Sequence, residues 1–182
     1  LGRIEEVVRQ LPSLEKVVVV SYISDEPRLE SIGNAVRLAE FLAPFRPADI
    51  DFEHLPFSHP LAILYSSGTT GVPKCIVHGA GGTLLQHLKE HLLHTDVKPG
   101  DRLFFFTTCG WMMWNWLMSG LAAGATLVLY DGSPLHPGPG VLWEMAADED
   151  VTIFGTSPKY LAALEKSGYR PRDRHSLGVL RT

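Results

Sequence analysis

The chain has 182 residues, of which 45% are hydrophobic and 20% are charged. This composition is typical of a globular domain with a substantial core and excludes an intrinsically disordered chain. The 16 basic and 20 acidic residues give a formal net charge of -4, and no basic run occurs. We therefore expect small-molecule substrates and no nucleic-acid partner, because nucleic-acid binding usually needs clustered Lys and Arg. Nothing in the composition indicates an oligomeric state.

The cysteines and the longest uncharged stretch bear on the cellular setting. Cys75 and Cys109 form no CxxC pair, which argues against a disulfide scaffold and favours a reducing, cytoplasmic location. Residues 103–130 carry no charged side chain and are long enough to span a bilayer. We interpret them instead as two buried strands around a helix, because glycines and polar residues interrupt the stretch. No membrane span is predicted.

The N-terminal third is predicted to be the less regular part of the chain. Residues 3–10 have helical periodicity, which Pro12 ends. The β-branched run at 16–22 predicts a buried strand, and residues 32–42 predict one amphipathic helix. An irregular connector then extends to residue 60, punctuated by Pro44, Pro47, Pro56 and Pro60.

From residue 61 onward, strands and helices alternate. The predicted strands are 61–67, 102–108, 126–130, 151–157 and 176–182, and the predicted helices are 83–94, 114–123, 141–148 and 159–166. This order predicts an α/β fold, a mostly parallel sheet with helices on both faces. Ligands of such sheets bind at the carboxyl ends of the strands. We divide the chain into a first helix and strand (1–24), a helix plus Pro-rich connector (25–60) and an alternating core (61–182).

The stretch YSSGTTGVPK at 65–74 has the composition of a phosphate-binding loop. Its glycines admit close backbone approach, its amides and hydroxyls donate hydrogen bonds, and Lys74 supplies a cation. It is not a Walker motif, because Lys74 lies beyond Gly71 with Pro73 between them, and it contains no dinucleotide fingerprint. From these residues alone, a flexible Ser/Thr/Gly turn with a solvated lysine is an equally good interpretation.

The order of residues in this stretch resembles the phosphate-loop signature of the adenylate-forming superfamily, which includes acyl-CoA synthetases, luciferases and peptide-synthetase adenylation domains. The match extends from Tyr65 through Lys74 to His78. Three longer segments resemble the acetoacetyl-CoA synthetase family within that superfamily: 55–74, 100–134 and 154–161. Cys75 departs from the pattern, in which Gly or Ala is usual, and we interpret it as a packing substitution.

The resemblance implies ATP-dependent ligation of acetoacetate to coenzyme A through an acetoacetyl-adenylate, with Mg²⁺ accompanying ATP. It implies ATP-phosphate contacts from Ser66, Ser67, Gly68, Thr69, Thr70, Gly71 and Lys74, of which Thr70 and Lys74 would act in catalysis. It places Trp111, Met112 and Met113 at the acyl and pantetheine pocket, and Ser157 at the coenzyme A tunnel. Trp114 and Trp116 are predicted to pack in the core, as aromatics at helical spacing usually do.

Other functions remain open at this point. One is an acetyl-CoA synthetase-like or other short-chain acyl-CoA ligase, and another is a non-catalytic nucleotide-binding module. His87, Glu90 and His91 match the H-x-x-E-H pattern of some zinc hydrolases, although catalytic zinc needs a third protein ligand. We expect His87 and Glu90 to lie at the polar margin of this helix. Its buried face is expected to consist of five leucines: Leu84, Leu85, Leu88, Leu92 and Leu93.

We expect the chain to be an internal piece of the large N-terminal domain of an adenylate-forming enzyme. It opens on Leu1 rather than Met and shows no signal peptide. The resemblance implies that the adenine-binding loop, a metal-binding glutamate and a small C-terminal domain lie beyond Thr182. Since several strand-end loops must converge on one ligand, such a piece is expected to be inactive alone.

Overall fold

The computed structural model of the protein describes residues 2–22, 24–66 and 71–182. The chain divides into two compact units, Leu1–Glu53 and His54–Thr182. The first unit begins with helix α1 (Gly2–Gln10), and strands β1 (Val17–Val19) and β2 (Ala35–Arg37) then pair in parallel. Helix α2 (Leu38–Leu42) follows directly after β2.

Two predictions for this first unit are wrong, while the N-terminal helix is confirmed. The strand predicted at 16–22 is only three residues long, and its Val18 is exposed rather than buried. Residues 32–42 form a strand and a short helix instead of one helix. Val36 lies opposite Val18 in the parallel pair, and β-branched side chains favour such pairing over a continued helix. Short-range periodicity does not reveal this long-range partner.

The second unit opens with a β-hairpin. Strand β3 (Pro60–Ser66) pairs antiparallel with β4 (Lys74–Gly79), and helix α3 (Ala80–Lys89) follows at once. A π-helical turn, Glu90–His94, continues α3. The prediction of a strand before the glycine-rich loop is confirmed, but it missed β4 and the antiparallel pairing. Residues 67–73 are too few for the crossover that parallel strands need, so the second strand has to return antiparallel.

The remainder of the unit is built on a three-stranded parallel sheet. Strand β5 (Arg102–Phe105) lies between β6 (Thr126–Val128) and β7 (Ile153–Gly155). The helices of this region are α4 (Met112–Ser119), α5 (Val141–Asp148) and α6 (Pro158–Ser167), with short 3₁₀ turns at Gly120–Ala123 and Pro171–Asp173. The α/β alternation predicted from residue 102 to residue 167 is confirmed, with shorter strands than expected.

Strand β5 is covered on both faces. Successive residues of a strand point to opposite sides, and Leu103 and Phe104 accordingly belong to two separate hydrophobic clusters. Phe104 packs with Leu142 of α5 and Leu164 of α6, whereas Leu103 packs with Leu117 of α4. Trp114 and Trp116 pack against the Leu103 cluster, as predicted. Helices on both faces of the parallel sheet are therefore confirmed.

The closing strand expected at 176–182 does not form. The chain end instead makes isolated backbone hydrogen bonds beside β7: the Phe154 amide donates to the Thr182 carbonyl at 2.7 Å, and the Arg181 amide to the Thr152 carbonyl at 2.8 Å. Gly178 and the turn at Leu177–Leu180 interrupt the segment, which prevents a regular ladder. Among the described helices, none is long and apolar enough to cross a membrane.

Candidate active site

The glycine-rich loop connects the two strands of the β3–β4 hairpin. Ser66 and Lys74 lie opposite each other in the register, at the loop end of the hairpin. Gly71 has a φ of 99°, in the left-handed region that glycine adopts without steric cost. Lys74 is exposed, and its side chain makes no hydrogen bond or ion pair with another residue of the described ranges. Its ammonium group is thus available to a ligand at the loop.

Four of the predicted phosphate contacts lie outside the described residues: Ser67, Gly68, Thr69 and Thr70. The structure does place both ends of their loop, because Ser66 ends β3 and Lys74 begins β4. The loop therefore connects two antiparallel strands. This geometry differs from a Walker loop, in which the lysine begins a helix.

The predicted acyl-side residues follow the carboxyl end of β5. Trp111 is the N-cap residue of α4, and its amide donates to the Thr108 carbonyl at 3.1 Å. Its side chain is 68% exposed, Met112 is also exposed, and Met113 is half-buried. An exposed tryptophan beside an exposed methionine offers an apolar surface to a ligand. The role of these residues in acyl binding stays a prediction.

Ser157 lies at the neighbouring strand end. Strands β5 and β7 are parallel, with Phe105 opposite Gly155, so the segments that follow them leave the same edge of the sheet. The Ser157 Oγ accepts the Tyr160 amide at 3.3 Å and thereby caps α6. Sequence reasoning missed Thr156, whose Oγ1 is buried without a hydrogen-bond partner in the described part of the chain. Buried hydroxyls are usually hydrogen-bonded, so this one is an exception.

Gly155 keeps these two strand ends in close contact. A Cβ atom at this position would lie 2.1 Å from the Cδ2 atom of Phe105. The aromatic ring therefore occupies the space that any side chain would need. We infer that glycine is required here by packing, independently of ligand binding.

Helix α3 and the π-helical turn that continues it bury histidines rather than leucines. His87 is 7% exposed and His91 is fully buried, whereas Leu85 is 62% and Leu93 is 76% exposed. The prediction of a buried leucine face with His87 at its margin is therefore wrong. The ring of His91 packs on Trp116 of α4, with centroids 4.2 Å apart. Burial of a polar ring is tolerated when its nitrogen is hydrogen-bonded, and α4 supplies that bond.

One hydroxyl group joins the two histidines. The Ser119 Oγ lies 3.0 Å from His87 Nδ1, 3.1 Å from His91 Nε2 and 2.6 Å from the Trp116 carbonyl oxygen. His91 Nε2 also lies 2.9 Å from that carbonyl. We call this group of His87, His91, Ser119 and the Trp116 carbonyl the Ser119 junction. It links α3, which follows the hairpin, to α4, which begins after Trp111.

Burial disfavours the charged form of both histidines. Desolvation is the main cause that lowers the pKa of His87, and the positive forms of His91 and His78 add to it. Desolvation also lowers the pKa of His91, although its bond to the Trp116 carbonyl acts in the opposite direction. Both rings are therefore neutral near pH 7, since the ordinary histidine value is 6.5.

The zinc interpretation finds no support in this arrangement. Within residues 2–22, 24–66 and 71–182, no group of three or more His, Cys, Asp and Glu side chains is placed to hold a metal ion. Nδ1 of His87 and Nε2 of His91 are both engaged by the Ser119 junction. The H-x-x-E-H spacing instead reflects two histidines on one buried helix face.

Comparison with known proteins places the chain in a family. The sequence profile of AMP-binding enzymes matches residues 2–182. The chain belongs to the AMP-binding enzyme family. This family membership confirms the resemblance on which the site prediction was based.

Similar members of the AMP-binding enzyme family include acetoacetyl-CoA synthetase of Danio rerio, 53% identical over 188 residues, which span 100% of this chain and 28% of that protein. Acetoacetyl-coenzyme A synthetase of Rhizobium meliloti (strain 1021) is 59% identical over 165 residues, 90% of this chain and 25% of that protein. The solved structure of acetoacetyl-CoA synthetase from Streptomyces lividans matches with a TM-score of 0.86 and 41% identity, over 99% of this chain and 27% of that one. The chain thus spans little more than a quarter of the length of these relatives.

Proposed function

We propose that the full-length protein containing this chain ligates acetoacetate to coenzyme A with ATP, through an acetoacetyl-adenylate. The observation that carries the proposal is the likeness to acetoacetyl-CoA synthetases, 53% identical over the whole chain and 59% over 90% of it. The exposed Lys74 at the loop end of the hairpin supports it, because a polyphosphate needs a cation there.

The chemistry has two steps. A carboxylate oxygen of acetoacetate attacks the α-phosphorus of ATP, the new oxygen–phosphorus bond forms, and the bond to the pyrophosphate oxygen breaks. The thiol of coenzyme A then attacks the acyl carbonyl carbon, loses its proton, and displaces AMP. The first step brings a carboxylate toward a polyanion, so fixed positive charge lowers its barrier. We assign that role to Lys74, assisted by the hydroxyl of Thr70 and the loop amides.

Mg²⁺ belongs to this proposal as a companion of ATP. Enzymes usually hold it through substrate phosphates and one or two carboxylates, with several waters retained. The parallel arrangement of β5 and β7, whose ends leave the same edge of the sheet, supports an approach of coenzyme A beside Ser157.

The test is pyrophosphate release by the full-length protein with acetoacetate, acetate and propionate in turn, each with and without coenzyme A. We expect acetoacetate to give the highest kcat/KM, and acetoacetyl-CoA to form only when the thiol is present. If acetate clearly outpaces acetoacetate, the protein is a short-chain ligase of another preference. ATP binding without pyrophosphate release from any acid would indicate a non-catalytic module and overturn the proposal.

A further inference from the structure

We propose that Ser119 is a positioning residue: its hydroxyl, held between His87 and His91, fixes α4 against α3 and thereby sets the placement of residues 111–113. The inference rests on the proposed function, because those three residues are the predicted acyl side of the site. None of the junction residues belongs to the predicted ATP, acyl or coenzyme A contacts.

The positions of the protons in the Ser119 junction follow from which groups can donate and which can only accept hydrogen bonds. The Trp116 carbonyl only accepts hydrogen bonds, so His91 Nε2, at 2.9 Å, carries a proton and donates it. The Ser119 hydroxyl makes its shortest contact, 2.6 Å, with the same carbonyl and donates there. It therefore accepts from His87 Nδ1, which in turn carries a proton. Each histidine is neutral in this arrangement, with its proton directed into the junction.

The junction connects two helices that each adjoin one half of the predicted site. On one side, α3 begins directly after β4, the strand that starts with Lys74. On the other side, Ser119 ends α4, and residues 111–113 lie at the start of that helix. Seven residues of helical rise separate the two ends of α4, about 10 Å. A rigid helix held at Ser119 transmits any tilt at that end to the residues at its start.

The end of α4 has little freedom on its other side. Leu117 is buried, and a Cβ atom at Gly120 would lie 2.7 Å from Leu103 Cδ2 of the central strand. The close packing fixes this end of the helix against the parallel sheet, and the Ser119 junction fixes it against α3. The junction therefore holds α3, which follows the β3–β4 hairpin, in a fixed orientation to the parallel sheet within His54–Thr182.

The junction is sensitive to acid. A second proton on His91 would occupy Nδ1, which is buried and has no hydrogen-bond partner in the described part of the chain. The titratable groups that face the histidines are His78 on β4 and Glu90 on their own helix, with Lys89 and His94 next to Glu90. Helix α4 contributes no charged residue. Burial lowers the pKa of both rings, so the junction is intact at neutral pH and weakens on acidification.

The first experiment measures substrate constants in the full-length protein with Ser119→Ala, Ser119→Thr and the control Ser167→Ala. Ser167 is matched, because its hydroxyl also donates to the carbonyl three residues earlier, at 2.7 Å to Leu164, but contacts no histidine. We expect Ser119→Ala to raise the KM for acetoacetate at least fivefold and to change the KM for ATP by less than twofold. Ser119→Thr keeps the hydroxyl and should return the KM for acetoacetate close to that of the parent protein. Equal effects of Ser119→Ala and Ser167→Ala, or an unchanged KM for the acid, would overturn the proposal.

The second experiment is independent of activity. Protonated imidazole quenches a stacked indole, so the fluorescence difference between the parent protein and Trp116→Phe reports on His91 as pH falls. We expect this difference to titrate below pH 6.5, the ordinary histidine value, and His91→Gln to abolish the titration. A protein that shows this titration but activates no acid would overturn the proposed function and retain the junction. The absence of any such titration would overturn the junction, whichever acid is activated.

Discussion

The β3–β4 hairpin and the parallel sheet are both rich in apolar residues, but they bury them to different extents. Ile63 of β3 is 57% exposed, whereas Leu103 of β5 is fully buried. Parallel strands are connected by helices that cover both faces, whereas Ile63 in the β3–β4 hairpin is left exposed by the 182 residues of this chain. Within this chain, the comparison indicates a division of labour in which the sheet supplies the buried core and the hairpin holds the two ends of the glycine-rich loop.

The largest expected effect is a loss of stability when the core of the parallel sheet is changed. Leu103→Ala removes a fully buried side chain, and such changes cost about 2–5 kcal/mol. Ile63→Ala, at an exposed position of the hairpin, should change the free energy of unfolding by less than about 0.5 kcal/mol. Chemical denaturation of the 182-residue chain carrying each substitution measures both values. Comparable losses in the two variants would contradict the division.

The next effect concerns catalysis. Lys74→Gln should reduce the rate of adenylation by about 10²–10³, the loss seen when one fixed electrostatic donor is removed. Because Lys74 is exposed and makes no ion pair within the described ranges, thermal stability should not change. Single-turnover pyrophosphate release provides the rate. Lys166→Gln, an exposed lysine at the end of α6, is the matched control and should retain full activity.

Ser157 allows capping to be separated from ligand binding. Ser157→Ala removes the N-cap of α6, which costs about 1 kcal/mol. Ser157→Asp keeps a capping oxygen but adds a charge at the strand end, so stability should be retained. If Ser157 borders the coenzyme A tunnel, the aspartate should raise the KM for coenzyme A. An unchanged KM in Ser157→Asp would restrict this residue to its capping role.

The smallest expected effect is the dependence of stability on pH. Both His87 and His91 have a folded-state pKa below the ordinary 6.5, so the unfolded chain binds protons first as pH falls. The stabilisation is fully present above pH 6.5 and is lost as the pH falls toward the folded-state values. Unfolding midpoints between pH 5 and 8 should show this slope, and the double variant His87→Gln/His91→Gln should reduce it. If the slope is unchanged in the double variant, the pH dependence of stability arises from titratable groups other than these two histidines.

Much of the second unit could be predicted from local pattern. Helix α5 occupies Val141–Asp148, the same residues as predicted, because its periodicity and flanking turns are local signals. The strand before the glycine-rich loop was predicted for the same reason. Strand β4 was not predicted although Ile76 and Val77 favour a strand, because its antiparallel pairing with β3 departs from the parallel alternation of the later strands.

Helix α3 shows why other features could not be predicted. Its leucines have the spacing of a buried stripe, but the partner that decides the buried face is Ser119, which lies 32 positions after His87. Periodicity reports which residues share a face and not which face meets a neighbour. The first unit illustrates the same limit, since Val36 becomes a strand residue only through its pairing with Val18.

The most direct test of the proposed chemistry follows an oxygen atom. The full-length protein is supplied with ATP, coenzyme A and acetoacetate labelled with ¹⁸O in its carboxylate, and the AMP produced is analysed by mass spectrometry. Attack of the carboxylate on the α-phosphorus leaves one carboxylate oxygen on AMP when the thiol displaces it. We predict ¹⁸O in AMP and none in pyrophosphate. Unlabelled AMP formed together with acetoacetyl-CoA would contradict an acyl-adenylate intermediate.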